Sequence, residues 1–227
     1  MAHRCSVNQV SLGPARGVIV SFVLAALFGA IIDGVFGSGW LLAWDARVAA
    51  WFRSYRSPGL THVMTLVSWL GDPRLLVAAS LGLGAALLAF ARRREFLIAA
   101  AVLAGGAVLH LLLKAAIQRP RPAGAWLAAA HGYSFPSGHT VGAVLFYGLL
   151  AYLGAWMATR RAAARYLYIA LGYIALGAVI VLAVGMSRVY LGVHFFSDIL
   201  GGWVVGAFWL SLCLTAACWL RLRSCRP

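Results

Sequence analysis

The chain alternates long apolar runs with short polar connections. An α-helix needs roughly 20 mostly apolar residues to cross the hydrocarbon core of a bilayer. Six runs meet this requirement, at about residues 17–37, 75–91, 96–117, 138–158, 166–187 and 195–220. The pattern therefore predicts an all-α, polytopic integral membrane protein, a six-transmembrane-helix bundle in a single membrane domain over residues 1–227.

The segment between the first two runs has a different pattern. Apolar residues recur there at helical spacing with charged residues on the other faces: Trp40, Trp44, Val48 and Trp51 against Asp45, Arg47 and Arg53. Tryptophan favours the headgroup layer, so we predict an amphipathic interfacial helix. Residues 59–71 are too short to cross the membrane. They form either an interfacial or re-entrant segment or the first part of one tilted, proline-broken helix over 59–91.

Composition and charge support a membrane protein. The hydrophobic fraction is 63%, against about 45–50% in soluble domains. The formal net charge is +14, but the basic residues stand in short runs beside apolar segments, which argues against nucleic-acid binding and for a role in membrane topology.

The distribution of Lys and Arg predicts the orientation of the six spans. Eleven fall on the side of the termini: Arg4, Arg16, Arg92, Arg93, Arg94, Arg160, Arg161, Arg165, Arg221, Arg223 and Arg226. Eight fall on the other side: Arg47, Arg53, Arg56, Arg74, Lys114, Arg119, Arg121 and Arg188. Because basic residues concentrate in cytoplasmic loops, we expect cytoplasmic termini.

Three polar clusters stand at span ends that lie on the outer side in this topology. They are KAAIQRPRP at residues 114–122, FPSGHT at 135–140 and SRVYLGVHFFSD at 187–198. Ionisable residues at the membrane edge are costly and mark functional sites. Since the intervening spans end on the same side, the three clusters can converge.

The third cluster pairs a histidine with an acid. His194 and Asp198 are four residues apart, so they share one face of a helix. A carboxylate that accepts the proton of one ring nitrogen leaves the other nitrogen as a nucleophile or base. For an isolated pair, a hydrogen bond on a helix surface is the simpler interpretation.

Three cations in these clusters have no matching acid in sequence. Lys114, Arg121 and Arg188 suit an anion such as phosphate, which arginine binds through its planar fork and lysine as a point charge. The alternative for Lys114 is a side chain that only extends to the membrane interface, and for Arg121 a charge at a helix end without a ligand.

The FPSGHT cluster is typical of a helix start. Ser137 is a favourable N-cap residue, and Gly138 allows the backbone to approach a ligand closely. Free N–H groups at a helix N-terminus bind phosphate well. His139 stands in the first turn, where it suits acid–base chemistry. The alternative is an ordinary capped helix with a spare histidine.

Taken in order, the clusters match a three-part signature over residues 114–198. Lys114-x6-Arg121-Pro122, Pro136-Ser137-Gly138-His139 and Ser187-Arg188-x5-His194-x3-Asp198 are all present. The chain therefore resembles the type-2 phosphatidic acid phosphatase (PAP2) superfamily of membrane lipid phosphate phosphatases. Vanadium haloperoxidases and soluble acid phosphatases share the signature, but the spans argue against both.

The resemblance implies a role for each matched residue. His194 is implied as the nucleophile that takes the phosphoryl group, Asp198 as its orienting partner and His139 as the general acid. The implied phosphate ligands are Lys114, Arg121, Ser137, Gly138 and Arg188. The resemblance implies no metal and no cofactor.

The implied function is hydrolysis of a lipid phosphate monoester or diphosphate at the outer face of a bacterial inner membrane. Phosphatidic acid, phosphatidylglycerophosphate and undecaprenyl diphosphate are all candidates, and no residue separates them. The alternatives are a lipid phosphotransferase using the same site, a membrane haem protein with His110, His139 and His194 as axial ligands, and an anion transporter. Five polar residues have no assigned role: Asp33, His110, Arg119, His131 and Tyr133. Of these, we expect Arg119 only to face lipid headgroups, and His110 to be core packing rather than a neighbour of the site.

Overall fold

The computed structural model describes residues 13–124, 126–159 and 165–223, and all regular secondary structure in this part of the chain is helical. The α-helices are α1 (Pro14–Ile32), α2 (Trp40–Ser54), α3 (Pro58–Trp69), α4 (Pro73–Ala89), α5 (Arg93–Ile117), α6 (Gly138–Thr159), α7 (Arg165–Tyr190) and α8 (Phe196–Arg223). A π-helical turn, Asp33–Gly37, continues α1.

Six segments of the described residues are long and apolar enough to cross a membrane. They are Pro14–Gly37, Pro58–Ala89, Arg93–Ile117, Gly138–Ala158, Tyr166–Tyr190 and Phe196–Leu220. The all-helical, six-span membrane architecture is thereby confirmed. The second segment combines α3 and α4 over 32 residues, which is the proline-broken helix among our two alternatives. That residues 1–227 form one domain stays a prediction.

Backbone groups at the break between α3 and α4 have hydrogen-bond partners. Asp72 precedes Pro73, and its Oδ1 accepts a hydrogen bond from the Arg74 N–H at 2.8 Å. The Leu70 carbonyl accepts one from the Tyr147 hydroxyl at 2.8 Å. A backbone group in hydrocarbon must find such a partner within the protein, so the break is compatible with a spanning segment.

Helix α6 is the most buried of the six spans and contacts α4, α5, α7 and α8. Small residues allow these close approaches, as is common between helices in membranes. A Cβ at Gly206 of α8 would lie 2.7 Å from the Cβ of Val144 on α6. Because both α6 and α8 carry residues of the signature, this packing fixes the two halves of the site against each other.

Helix α2 is amphipathic, as predicted. Trp40, Trp44 and Trp51 are about half exposed, whereas Leu41 and Asp45 are buried. Asp45 lies on a different face from the tryptophans, as the pattern predicts, and its carboxylate is buried because it has partners in Arg119 and in Ser197 of α8. The position of α2 in the headgroup layer stays a prediction.

Successive spans alternate in direction, which brings several helix ends together. The C-terminal ends of α5 and α7 and the N-terminal ends of α6 and α8 lie at one end of the bundle, next to α2. The predicted orientation depends partly on arginines outside the described residues: Arg4, Arg160, Arg161 and Arg226. The cytoplasmic location of the termini therefore stays a prediction.

Candidate active site

The histidine–aspartate pair lies where α7 connects to α8. Gly192, with a φ of 77°, turns the chain, and His194 follows in a buried position. Its Nδ1 lies 3.3 Å from Asp198 Oδ2, and its Nε2 lies 3.2 Å from Arg121 Nη1. Since a guanidinium can only donate hydrogen bonds, Nε2 must present its lone pair. The proton of the neutral ring is therefore on Nδ1, facing the carboxylate.

Burial lowers the pKa of His194 to about 4. Asp198 opposes this shift through its hydrogen bond and its charge, whereas Arg121 and Arg188 add to it. The ordinary value is about 6.5, so the imidazole is neutral at pH 7. A neutral ring whose Nε2 lone pair faces a cationic group is suited to attack an anion held by that group.

Arg121 is held in place by three carbonyl oxygens. Its Nε donates to Gly132 O at 2.9 Å, its Nη2 to His131 O at 2.9 Å and its Nη1 to Val193 O at 2.8 Å. These bonds fix the plane of the guanidinium without neutralising it. The charge of Arg121 therefore remains directed at the site.

Two further cations lie near Arg121. The Nη1 of Arg188 donates to Ser68 Oγ at 2.6 Å, and its buried Nε has no hydrogen-bond partner among the described residues. Lys114, in the last turn of α5, interacts electrostatically with Arg121 and Asp198. Within the described residues, none of the three cations forms an ion pair with a carboxylate. Together they form a positive cluster that has no directly paired carboxylate in this part of the chain.

The N-terminus of α6 faces this cluster. The Ser137 N–H donates to Asp198 O at 3.1 Å, which ties the helix start to α8. The Ser137 Oγ is buried without a hydrogen-bond partner in the described part of the chain. The serine thus stands just before α6, but its hydroxyl does not cap the helix. A Cβ at Gly138 would lie 3.0 Å from His110 Cε1, so this position has little room for a side chain.

His139 completes the group. It interacts electrostatically with Arg188, His194, Arg121 and Lys114. The break in the second span supports it, because a Cβ at Gly71 would lie 3.2 Å from the His139 Cβ. The structure thus brings the predicted site residues to one end of the bundle: Lys114, Arg121, Ser137, Gly138, His139, Arg188, His194 and Asp198.

Arg119 does not face lipid headgroups, contrary to our expectation. It is 6% exposed, with Nη2 2.8 Å from Asp45 Oδ2 and Nη1 2.6 Å from Asp198 Oδ1. Its Cζ lies 4.1 Å from the centroid of the Phe195 ring. Sequence reasoning missed Asp45 as its partner. The scarcity of acids, five in 227 residues, was the available signal, since it makes each acid a candidate partner for a buried arginine.

The other unassigned residues lie in different surroundings. His110 is half-buried beside the site, with Nε2 3.3 Å from Pro136 O, so it is a neighbour of the site rather than only core packing. Asp33 is exposed and accepts a hydrogen bond from Ser38 Oγ at 2.9 Å. His131 and Tyr133 are exposed in the segment before α6.

An apolar cavity of about 300 Å³ opens beside the site, between α4, α5 and α6. Leu76, Leu103 and Leu111 belong to its walls, and His110 and Gly138 line it near the signature residues. A cavity with this lining accommodates hydrocarbon. Within the described residues, no cluster of three His, Cys, Asp or Glu has the arrangement of a metal site. That catalysis needs no metal stays a prediction.

Six apolar spans and a buried histidine beside three cations without a paired carboxylate in the described ranges are the features expected of an integral membrane enzyme that acts on phosphate groups. Comparison with known families agrees, since the PAP2 superfamily model matches residues 95–221. The chain belongs to the PAP2 superfamily and is a membrane lipid phosphatase, a phosphoric ester hydrolase.

Individual relatives are consistent with this family. Phosphatidylglycerophosphatase B of Bacillus subtilis (strain 168) is 36% identical over 152 residues, which are 66% of this chain and 72% of the relative. The crystal structure of a transmembrane PAP2-type phosphatidylglycerolphosphate phosphatase from B. subtilis superposes with a TM-score of 0.75 at 28% identity, covering 85% of this chain and 93% of that one. The structure of Aquifex aeolicus LpxE, at 23% identity and a TM-score of 0.57, covers 76% of this chain and 93% of that one and supports the fold.

Proposed function

We propose that this protein hydrolyses a lipid phosphate monoester at the outer face of the membrane through a phosphohistidine at His194. The observation that carries the proposal is the environment of that ring. Its Nδ1 faces Asp198 at 3.3 Å, while its Nε2 faces the Arg121 guanidinium at 3.2 Å. A phosphoryl group bound by Arg121 therefore has its phosphorus next to the lone pair of Nε2.

The first step transfers the phosphoryl group to the enzyme. The cations Lys114, Arg121 and Arg188 neutralise the phosphate oxygens, as such clamps do in phosphoryl transfer. Binding of the anionic phosphate allows His139 to take up a proton. Nε2 of His194 then attacks phosphorus, the bond from phosphorus to the lipid oxygen breaks, and His139 donates its proton to that oxygen. The Nδ1 proton stays directed at Asp198, which stabilises the positive charge that develops on the ring.

The second step releases inorganic phosphate. His139, now unprotonated, accepts a proton from water as the water attacks phosphorus. The phosphorus–nitrogen bond breaks and His194 returns to its neutral form. Ser137 Oγ and the backbone N–H groups at the start of α6 are suited to hold the same phosphate oxygens in both steps.

A lipid substrate is supported by the apolar cavity that adjoins the site. Hydrocarbon can occupy the space between α4, α5 and α6, and Gly138 lines this space next to the start of α6. A phosphate attached to that hydrocarbon would then lie at the N-terminus of α6, beside the site. Similarity to phosphatidylglycerophosphatase B of B. subtilis makes phosphatidylglycerophosphate the first substrate to test. Phosphatidic acid and undecaprenyl diphosphate remain the comparison substrates.

The test is a phosphate-release panel with purified protein in detergent micelles. We expect release from phosphatidylglycerophosphate by the wild type, none by His194→Ala, and wild-type release by His62→Ala, a matched change at an exposed histidine on α3. Release that survives His194→Ala contradicts the mechanism. Turnover that requires an added acceptor lipid contradicts hydrolysis and indicates transfer to that lipid instead.

The sidedness of the site is tested separately, with a variant that lacks the four native cysteines. A cysteine introduced as Ala129→Cys, at an exposed position before α6, should react with an impermeant thiol reagent in intact cells. Labelling only after permeabilisation contradicts an outer-face site.

A further inference from the structure

A buried ionic network lies behind the reacting groups. We name it the Asp45 network: Asp45 of α2, Arg119, and Ser197 and Asp198 of α8. Asp45 Oδ2 accepts hydrogen bonds from Arg119 Nη2 at 2.8 Å and from Ser197 Oγ at 2.6 Å. Asp45 Oδ1 accepts one from the Ser197 N–H at 2.7 Å. Helix α2 is therefore bonded directly to the residue that precedes Asp198.

Arg119 connects the two acids of the network. Its Nη1 donates to Asp198 Oδ1 at 2.6 Å and to Ser197 Oγ at 2.7 Å, and its Nη2 donates to Asp45. Asp45 is 3% exposed, Arg119 6% and Asp198 0%. Charges this deeply buried are tolerated only when they are paired and hydrogen-bonded. Each member of the network thus depends on the others.

The network determines which oxygen of Asp198 faces the histidine. Oδ1 is occupied by Arg119, whereas Oδ2 accepts the Phe195 N–H at 2.9 Å and lies 3.3 Å from His194 Nδ1. Rotation of the carboxylate would break the bond to Arg119. Arg119 cannot follow a rotated carboxylate, because its Nη2 is hydrogen-bonded to Asp45.

We infer that Asp45 and Arg119 are positioning residues, which fix the Asp198 carboxylate so that it orients and polarises His194. The inference rests on the proposed function of His194. It gives the amphipathic helix α2 a role in catalysis, since its buried face carries Asp45.

The charge balance adds to the geometric effect. With Asp45 present, Arg119 is shared between two carboxylates, so Asp198 keeps part of its negative charge for His194. Without Asp45, the whole charge of Arg119 acts on Asp198. The imidazole then receives less support for the positive charge that it develops in the transition state, and its nucleophilicity falls.

The first experiment measures kcat and KM for Asp45→Asn against Arg47→Gln, an exposed control on the same helix. We expect kcat to fall about 10- to 100-fold, as it does when partners that orient metal-binding histidines are removed. KM should stay within about twofold, because Asp45 does not touch phosphate. The control should keep wild-type values. An unchanged kcat, or a rise in KM alone, overturns the inference.

A pH profile separates positioning from a structural effect. His194 faces Asp198 of α8, Arg121, Arg188 of α7 and His139 of α6, and Asp198 is the acid among these groups. Weaker support from Asp198 disfavours the protonated ring, so the acid limb of kcat/KM in Asp45→Asn should move to lower pH. A lower rate with an unmoved limb indicates a structural role and contradicts the inference.

A milder variant covers the case in which Asp45→Asn does not fold. Ser197→Ala removes the hydroxyl bridge without leaving a charge unpaired, and we expect kcat to fall about fivefold, the equivalent of one net hydrogen bond. An unchanged kcat in folded Ser197→Ala overturns the inference.

Trapping phosphohistidine in the wild type distinguishes the positioning role from the proposed mechanism. If phosphohistidine is trapped and both variants are fully active, only the positioning role is contradicted. If no phosphohistidine is trapped, the proposed mechanism itself is contradicted.

Discussion

Replacing Asp198 by asparagine removes one charge from the site and changes little else in size. Asp198 Oδ1 accepts from Arg119 at 2.6 Å, and Oδ2 lies 2.9 Å from the Phe195 nitrogen and 3.3 Å from His194 Nδ1. The NH₂ group of an asparagine can face either the Arg119 guanidinium or the opposite side, where the Phe195 N–H and the His194 ring lie. Both orientations place a donor against a donor.

The expected loss follows from the distance between the carboxylate and the ring. Opposite unit charges 3.3 Å apart interact with about 5 kcal/mol at an effective dielectric constant of about 20. Each factor of ten in rate corresponds to about 1.4 kcal/mol. Loss of the whole interaction between the carboxylate and the ring would therefore lower the rate by a factor between about 10³ and 10⁴. Arg119 neutralises part of the carboxylate charge, and we therefore expect kcat to fall about 10³-fold.

The assay is phosphate release at saturating phosphatidylglycerophosphate, with folding checked by thermal denaturation. Asp33→Asn is the matched control, since Asp33 is exposed and hydrogen-bonded to Ser38, and it should keep wild-type activity. A folded Asp198→Asn protein that retains more than about a tenth of wild-type kcat, a loss below about 1.4 kcal/mol, refutes the reasoning.

Three further results are expected. Because the folded state lowers the pKa of His194 to about 4, the acid limb of kcat/KM, corrected for ionisation of the substrate, should lie near pH 4; a limb near 6.5 contradicts this. Gly202→Ala places a Cβ 2.9 Å from the Thr140 Cβ and should lower the free energy of unfolding by about 1–3 kcal/mol, whereas Gly82→Ala, with open space around it, should not destabilise. Activity should resist EDTA and be inhibited by vanadate; restoration by magnesium after EDTA treatment contradicts metal-independent chemistry.

The fold was predictable because hydrophobicity alone specifies membrane spans. The exception was the second span, where Pro73 and the polar Asp72 gave the appearance of an end. The apolar segment of α3 and α4 nevertheless runs past Asp72 and Pro73. Asp72 caps α4, and the Tyr147 hydroxyl donates a hydrogen bond to the carbonyl of Leu70. Such a partner, 77 residues away in sequence, leaves no local pattern.

The signature residues were found because they stand in order at span ends. Arg119 and Asp45 were missed for a physical reason: their ion pair joins residues 74 positions apart. In sequence, Asp45 falls among the charged positions of an amphipathic helix, where solvent exposure is the usual outcome. Ser137 was assigned correctly to the start of α6, but spacing cannot predict that its hydroxyl leaves the helix uncapped.

The most direct test of the central claim is to trap the phosphorylated enzyme. Protein mixed with substrate and quenched in alkali, which preserves phosphohistidine, should carry one phosphoryl group on the peptide that contains His194. His194→Ala should carry none, and His62→Ala, a change at an exposed histidine, should carry as much as the wild type. Phosphate release by an enzyme that never carries phosphate on His194 would contradict the account.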